Sequence, residues 1–350
     1  MLKKAAGLLL VCVLTAPWMG CADTVSHFVY AALPSSDEIG IYREDPHSGV
    51  LTQLADSPYA AGNAAESVVV HPSNKFMFVA NAADDTVANY SIATNGEISA
   101  GQITTAGSTP SILAMDSAGA FLYEGDSGSN SITVYSISSS GQLTQTSNFG
   151  IGMQPLNLKL NSTGNVLYVT GPGQPNGFIQ AFGVSGGKLQ SVVGIFSSGG
   201  ASPHGLTIDP SGTHLYVANG APDNSIGEFN IGTNGTLTPI SGSPLVQSNG
   251  INPLSVIIEP SGTYMYVADE GSNNISAYTV ASDGSISPLA TPSFTTGTQP
   301  GFLAMDPNGR YLLAGLQSGG IEVYSLSSGN LDVVMTFNTG SNPTSLAITQ

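Results

Sequence analysis

The sequence predicts an all-β fold, a seven-bladed β-propeller of four-stranded blades, and three observations predict it. A turn motif recurs every 45 to 50 residues, its first residue falling at His71, Asp116, Asn161, Asp209, Glu259 and Asp306, which is the length of a propeller blade. Fragments of the same repeat stand at the two ends of the chain. The composition also fits. Charged residues are only 9% of the chain, against 43 Gly and 21 Pro, which suits short strands and tight turns better than helices. The 41% hydrophobic content is too high for a disordered chain.

Each repeat reads as four strands, a to d. A Pro and an apolar stretch make strand a. A turn such as Asp-Pro-Ser-Gly follows, in which Asp bonds nearby amides and Gly supplies positive φ. Strand b comes next, and Leu206-Thr-Ile-Asp-Pro-Ser-Gly-Thr-His-Leu-Tyr-Val-Ala-Asn219 is a good copy of all three. A polar loop leads to strand c, of the form Ser-Ile-x-x-Tyr-x-Ile, and a Gly turn with Leu-Thr opens strand d. Six repeats are whole. The seventh is divided: Pro343–Thr349 copies strand a, and His27–Ala32, Ile39–Arg43 and Val50–Leu54 copy b, c and d. One blade drawn from both termini closes the ring and removes the open sheet edges that a partial propeller would leave.

The first residues read as an export signal. Lys3 and Lys4 precede an apolar run from Ala5 to Leu14, too short to span a bilayer, and small residues follow at Gly20, Cys21 and Ala22. The reading is a signal peptide over residues 1–20, with Cys21 the first mature residue and lipidated, and a single propeller domain over 26–350. The protein is then exported to the cell envelope, on the periplasmic or extracellular side, and meets membrane through the lipid anchor only. Ordinary cleavage after Ala22 is the competing reading. Cys12 and Cys21 are the two cysteines, so the mature chain has no internal disulfide. The net charge of −16 grows by two once Lys3 and Lys4 are removed, and so acidic a chain is not expected to bind nucleic acid.

The antiparallel strands fix which end of a blade each residue occupies. The d–a and b–c loops lie on one face, called top, and the a–b and c–d turns on the other, called bottom. His71 and His214 fall at a–b turns, where a structural role is expected. No two histidines have metal-ligand spacing and no serine sits in a Gly-x-Ser-x-Gly elbow, so neither metal nor cofactor is expected.

Two stretches carry a more specific signal. Ser202-Pro203-His204-Gly-Leu-Thr-Ile-Asp209-Pro210 opens one blade with Pro-His, and Val267-Ala268-Asp269-Glu270 ends strand b of the next. In these and in the repeat the chain resembles the lactonase propellers, the family of 6-phosphogluconolactonase and the carboxymuconate cycloisomerases. That resemblance implies a catalytic His204 and a catalytic Glu270. Other copies place Ala82, Asp126, Pro172 and Gly220 where Glu270 falls, so the repeat does not require a glutamate there. The family's Pro-Arg-His is here Pro253-Leu254-Ser255, and a further family arginine falls near Leu316 or Gln317. Both arginines that would clamp a phosphate or carboxylate are missing.

The remaining charges agree with a neutral ligand. Arg43, Lys75, Lys188 and Arg310 belong to the bottom face and Lys159 to mid-strand. The top face is expected to carry Asp37, Glu38, Asp84, Asp85, Asp126, Asp223, Asp269 and Glu270, a field that repels anions. The expected function is hydrolysis of a small neutral lactone or sugar-derived ester by His204 and Glu270. The alternative is a non-catalytic propeller that binds a protein partner, a carbohydrate or a cation through an acidic top face.

Overall fold

The computed structural model describes residues 26–350 apart from Gln174. The expected signal peptide over 1–20 and the lipidated Cys21 lie outside the described residues. Among these residues the strands form seven antiparallel sheets. Each strand a touches the strand a of the blade on either side, in a cycle that returns to its start, so the sheets stand as blades around a central channel. We number the whole repeats as blades 1 to 6, from strand a at Ala65–Val70 to strand d at Asn330–Asn338.

Blade 7 is shared by the two ends of the chain, as expected. Strand a, Ser345–Ile348, pairs with strand b, His27–Leu33, in the register Val29 to Ile348 and Ala32 to Ser345. Strand c follows at Glu38–Glu44. Strand d departs from the simple repeat in two blades. It is split into Leu51–Gln53 and Tyr59–Ala60 in blade 7, and into Leu237–Pro239 and Leu245–Val246 in blade 4. Pro58 and Pro244 fall in the gaps, where a residue without an N–H cannot continue the ladder.

The core is a set of wedges between neighbouring blades. The fourth residue of strand a is buried in each copy, as at Val68, Leu113, Leu158 and Leu206, and packs against strand b residues such as Val79, Val169 and Val217. The repeated strand-b tyrosine is buried too, and its hydroxyl must find an acceptor. Tyr30, Tyr168 and Tyr216 each donate to a glycine carbonyl in the c–d turn of the next blade, Gly96, Gly235 and Gly284, at 2.8–3.0 Å. Those glycines have φ of 81–86°, which a side chain would disfavour.

Candidate functional site

His204 is the second residue of strand a in blade 4, Pro203–Ile208. Glu270 follows strand b of blade 5, Tyr264–Asp269, and opens a short 3-10 turn, Glu270–Ser272. Both lie on the top face in adjacent blades, and both are half-buried. The second residue of strand a is half-buried in every copy while the Pro or Ala before it is buried, so this position borders the channel mouth.

Glu270 is held by two side-chain amides. Asn252 Nδ2 donates to Oε2 at 2.8 Å and Gln299 Nε2 donates to Oε1 at 2.9 Å. Asn252 and Gln299 are themselves fixed. Each immediately precedes the first residue of a strand a, each has a φ of 54°, and each gives its backbone N–H to a b–c loop side chain of the preceding blade. Asn224 Oδ1 accepts from Asn252 at 2.8 Å and Asn273 Oδ1 accepts from Gln299 at 2.7 Å. The same clasp joins Asp37 to Ala64 and Asp85 to Thr109, both at 2.7 Å. Where the clasp residue is Ala64 or Thr109 it only joins blades; at Asn252 and Gln299 its side chain also reaches Glu270.

His204 sits beside this arc. Its Nε2 is 3.1 Å from Ser202 Oγ. A Cβ on Gly220 would lie 3.1 Å from the imidazole and 2.6 Å from Asn252 Oδ1, so glycine is needed where histidine and arc meet. No hydrogen bond joins His204 to Glu270. Burial lowers the imidazole pKa and the Glu270 charge partly offsets this, which favours a neutral ring that can donate or accept one proton. A carboxylate with both oxygens oriented can take a proton from water, and a neutral imidazole can donate to a developing oxyanion.

Several expectations about the top face need correction. Asp126 and Asp269 are not loop acids. Each ends its strand b with no exposed surface. Asp126 accepts from Ser131 and Thr133 at 2.9 and 2.7 Å, and Asp269 from Ser276 at 2.6 Å. Burial pushes Asp269 up to about 7. The register also makes Asp126 the counterpart of Asp269, so blade 2 places Ser127 where Glu270 falls. Asp37 and Asp85 serve as clasps, and Asp84 and Asp223 accept from Asn63 N at 2.7 Å and Ala201 N at 2.6 Å. The top-face acids are therefore largely bonded to loop backbone.

Sequence reasoning missed three residues. Asn252 and Gln299 were identifiable as the residues preceding the recurrent Pro of strand a. Glu66 occupies the same strand-a position as His204, in blade 1, and burial raises its pKa while Thr344 opposes the rise. His71 and His214 are structural, as expected: His71 Nε2 lies 2.9 Å from Gly119 O, and His214 Nδ1 lies 3.2 Å from Asp209. Lys159 is exposed to water and aligns with Ile257 and Ala304, which line a channel cavity of about 550 Å³. Protein around the channel lowers its pKa. Among the described residues no group of three His, Cys, Asp or Glu converges as a metal site, and no helix is long and apolar enough to cross a membrane.

Comparison with known proteins agrees with this architecture. A candidate 6-phosphogluconolactonase from Bacteroides fragilis superposes with a TM-score of 0.80 at 16% identity, over 93% of this chain and 98% of that one. A second, from Bacteroides uniformis, gives 0.80 at 18% over 93% and 100%. The periplasmic gluconolactonase of Pseudomonas aeruginosa gives 0.77 at 16% over 93% and 99%. At these identities the likeness concerns the fold. A search of curated proteins finds no match. The family described as "Lactonase, 7-bladed beta-propeller" matches residues 55–155 and 247–348, more than half of the chain, and the protein belongs to that lactonase family.

Proposed function

We propose that this protein hydrolyses a neutral lactone at the top face, with Glu270 as general base toward water and His204 as donor to the carbonyl oxygen. The observation that carries the reading is the two-amide grip on Glu270 beside His204. Such a grip holds a carboxylate in one orientation, which a base needs and a surface acid does not. Water attacks the carbonyl carbon, the ring C–O bond breaks, and the proton taken by Glu270 passes to the leaving alkoxide, giving a hydroxy acid. Leu254 stands where the family's pattern has arginine, so nothing there clamps a phosphate.

A hydrolysis screen of neutral and phosphorylated lactones, comparing wild type with Glu270→Gln, tests this. The expected result is turnover of neutral lactones, reduced about 100-fold or more in the variant. Unchanged turnover in Glu270→Gln, or preference for 6-phosphogluconolactone, would overturn it. The acidic-face alternative is less favoured, because most of the acids it relied on are buried or bonded to backbone.

Export and lipid attachment at Cys21 are part of the same proposal. The stretch from Cys21 to His27 spans at most about 20 Å when extended, and His27 begins a strand b at the bottom face. A lipidated protein would therefore hold its bottom face to the membrane and its top face outward. Cys21→Ala should release the protein from the membrane fraction; retention in that fraction argues against the anchor.

A further inference from the structure

The walls around His204 and Glu270 bear on which lactone is taken, an inference that rests on the hydrolytic reading above. On the blade 3 side of His204 a cavity of about 540 Å³ is lined by Pro172, Gly173, Ala201, Ser202, Ala221 and Pro222, within the size range of small-ligand sites. It has one side-chain hydroxyl, which faces His204, and no charged side chain. Two of its backbone donors are also taken. Ala201 N–H is bonded to Asp223 at 2.6 Å and Ala221 N–H to Asn252 at 3.0 Å. At the channel mouth the strand-a neighbours of His204 are Leu156 and Leu254, both half-buried.

Ile251, 52% exposed, lies against the turn that carries Glu270: its carbonyl accepts from Gly271 N at 2.8 Å, and a Cβ on Gly271 would stand 2.9 Å from its Cγ2. The side chains that line the wall beside the arc are thus mostly Pro and Ala, with the Asp223 carboxylate at the rim engaged by Ala201 N.

We infer that the substrate is a lactone bearing an aliphatic substituent. The ring carbonyl meets the polar arc and the alkyl chain lies along the wall of Pro172, Ala201, Ala221 and Pro222. A sugar lactone presents hydroxyls around its ring, and these would lose water against Pro, Ala and Leu without gaining partners. An alkyl chain gains there, by about fourfold for each methylene fully buried. The missing arginines and the apolar walls then describe one site, suited to an uncharged and water-averse ligand.

Three lactones with the same six-membered ring test this on the whole protein: δ-valerolactone, δ-decalactone and glucono-δ-lactone. The pentyl chain of δ-decalactone should raise kcat/KM at least tenfold over δ-valerolactone, and glucono-δ-lactone should be the poorest of the three. Pro172→Asp, which puts a charge into the wall, should remove the alkyl advantage, bringing the ratio of kcat/KM for δ-decalactone over δ-valerolactone down toward one; an unchanged ratio would refute the wall. Equal rates for the three, or a preference for glucono-δ-lactone, would overturn the inference while leaving the hydrolytic reading intact. Failure of all three to turn over would instead sink the hydrolytic reading. Saturation-transfer NMR with the same compounds then decides the alkyl preference from binding alone: selective contact with δ-decalactone supports it, and contact without discrimination refutes it.

Discussion

Aspartate and asparagine do different work at the two ends of a blade. On the bottom face they close the turn in which they stand. Asp209 Oδ1 accepts from Thr213 N and His214 N at 2.9 and 2.8 Å, and Asn161 Oδ1 accepts from Asn165 N and Val166 N at 3.0 and 3.1 Å. On the top face Asp37, Asp85, Asn224 and Asn273 reach into the next blade and take the N–H of the residue that leads its strand a. A turn that closes on itself can repeat around the ring with little consequence for its neighbours. A clasp between blades also sets where the next loop's side chain points, and in blades 5 and 6 that side chain grips Glu270. The candidate site is built from the fold's own inter-blade joint.

The largest effect expected is on the ring that makes both faces possible. Deleting residues 343–350 removes strand a of blade 7 and leaves His27–Leu33 with an open edge. Thermal unfolding should lose its single cooperative transition, and a sharp transition near the full-length Tm would break the picture of a closed ring.

The next effect concerns buried acids at the two ends. Burial pushes Glu44, at the bottom end of strand c in blade 7, up to about 8, with Asp306 adding to the rise and Arg310 opposing it. Burial raises Asp269 at the top to about 7. A raised carboxyl pKa means the folded state keeps its proton where the unfolded chain has lost it. Stability is then greatest below pH about 4.5 for these groups and falls as pH rises toward 7 and 8, by at most about 1.4 kcal/mol per unit for each group. Chemical denaturation at pH 5, 7 and 9 should show this decline, and Glu44→Gln should lessen the part above pH 7, leaving the share of Glu124, which burial raises to about 9. A rise in stability over that range would show that these carboxyls are ionised in the fold.

Smaller still, and most direct, is the contrast between clasp and turn. Asn273→Ala and Asp209→Ala should each cost about 1–2 kcal/mol or more, because the first strands the Gln299 N–H and the second those of Thr213 and His214. Only Asn273→Ala should also lower lactone turnover, by about tenfold, since it frees Gln299 from the pose that holds Glu270. Equal loss of activity in the two variants would mean that the joint does not position the site.

The fold was legible because it is periodic. Spacing gave the blades, and the fragments at Pro343–Thr349 and His27–Ala32 gave the closure. Glu270 was legible as an acid that the repeat does not require. The environment of the acids was not legible, since a loop Asp and one buried at a strand end read alike until the register is known. For Asp126 and Asp269 the signal was present in part: they stand where other copies end strand b with Asn81 or Asn219, and hydroxyl residues follow at Ser131, Thr133 and Ser276. The grip on Glu270 was harder to see. It joins a blade 5 side chain to Gln299 of blade 6 through a conformation, φ near 54°, that neither Asn252 nor Gln299 announces.

The division of blade 7 between the two termini also bears on timing. A growing chain holds His27–Leu33 before blades 1 to 6 are made, but the strand that completes that sheet, Ser345–Ile348, emerges after all of them. Blades 1 to 6 can stack on one another as they appear, whereas the ring can lock only once that strand has emerged. Until then the partial stack keeps unpaired edges exposed, the condition in which β proteins are prone to associate wrongly. Pairing of Ser345–Ile348 with His27–Leu33 converts that open stack into a closed disc.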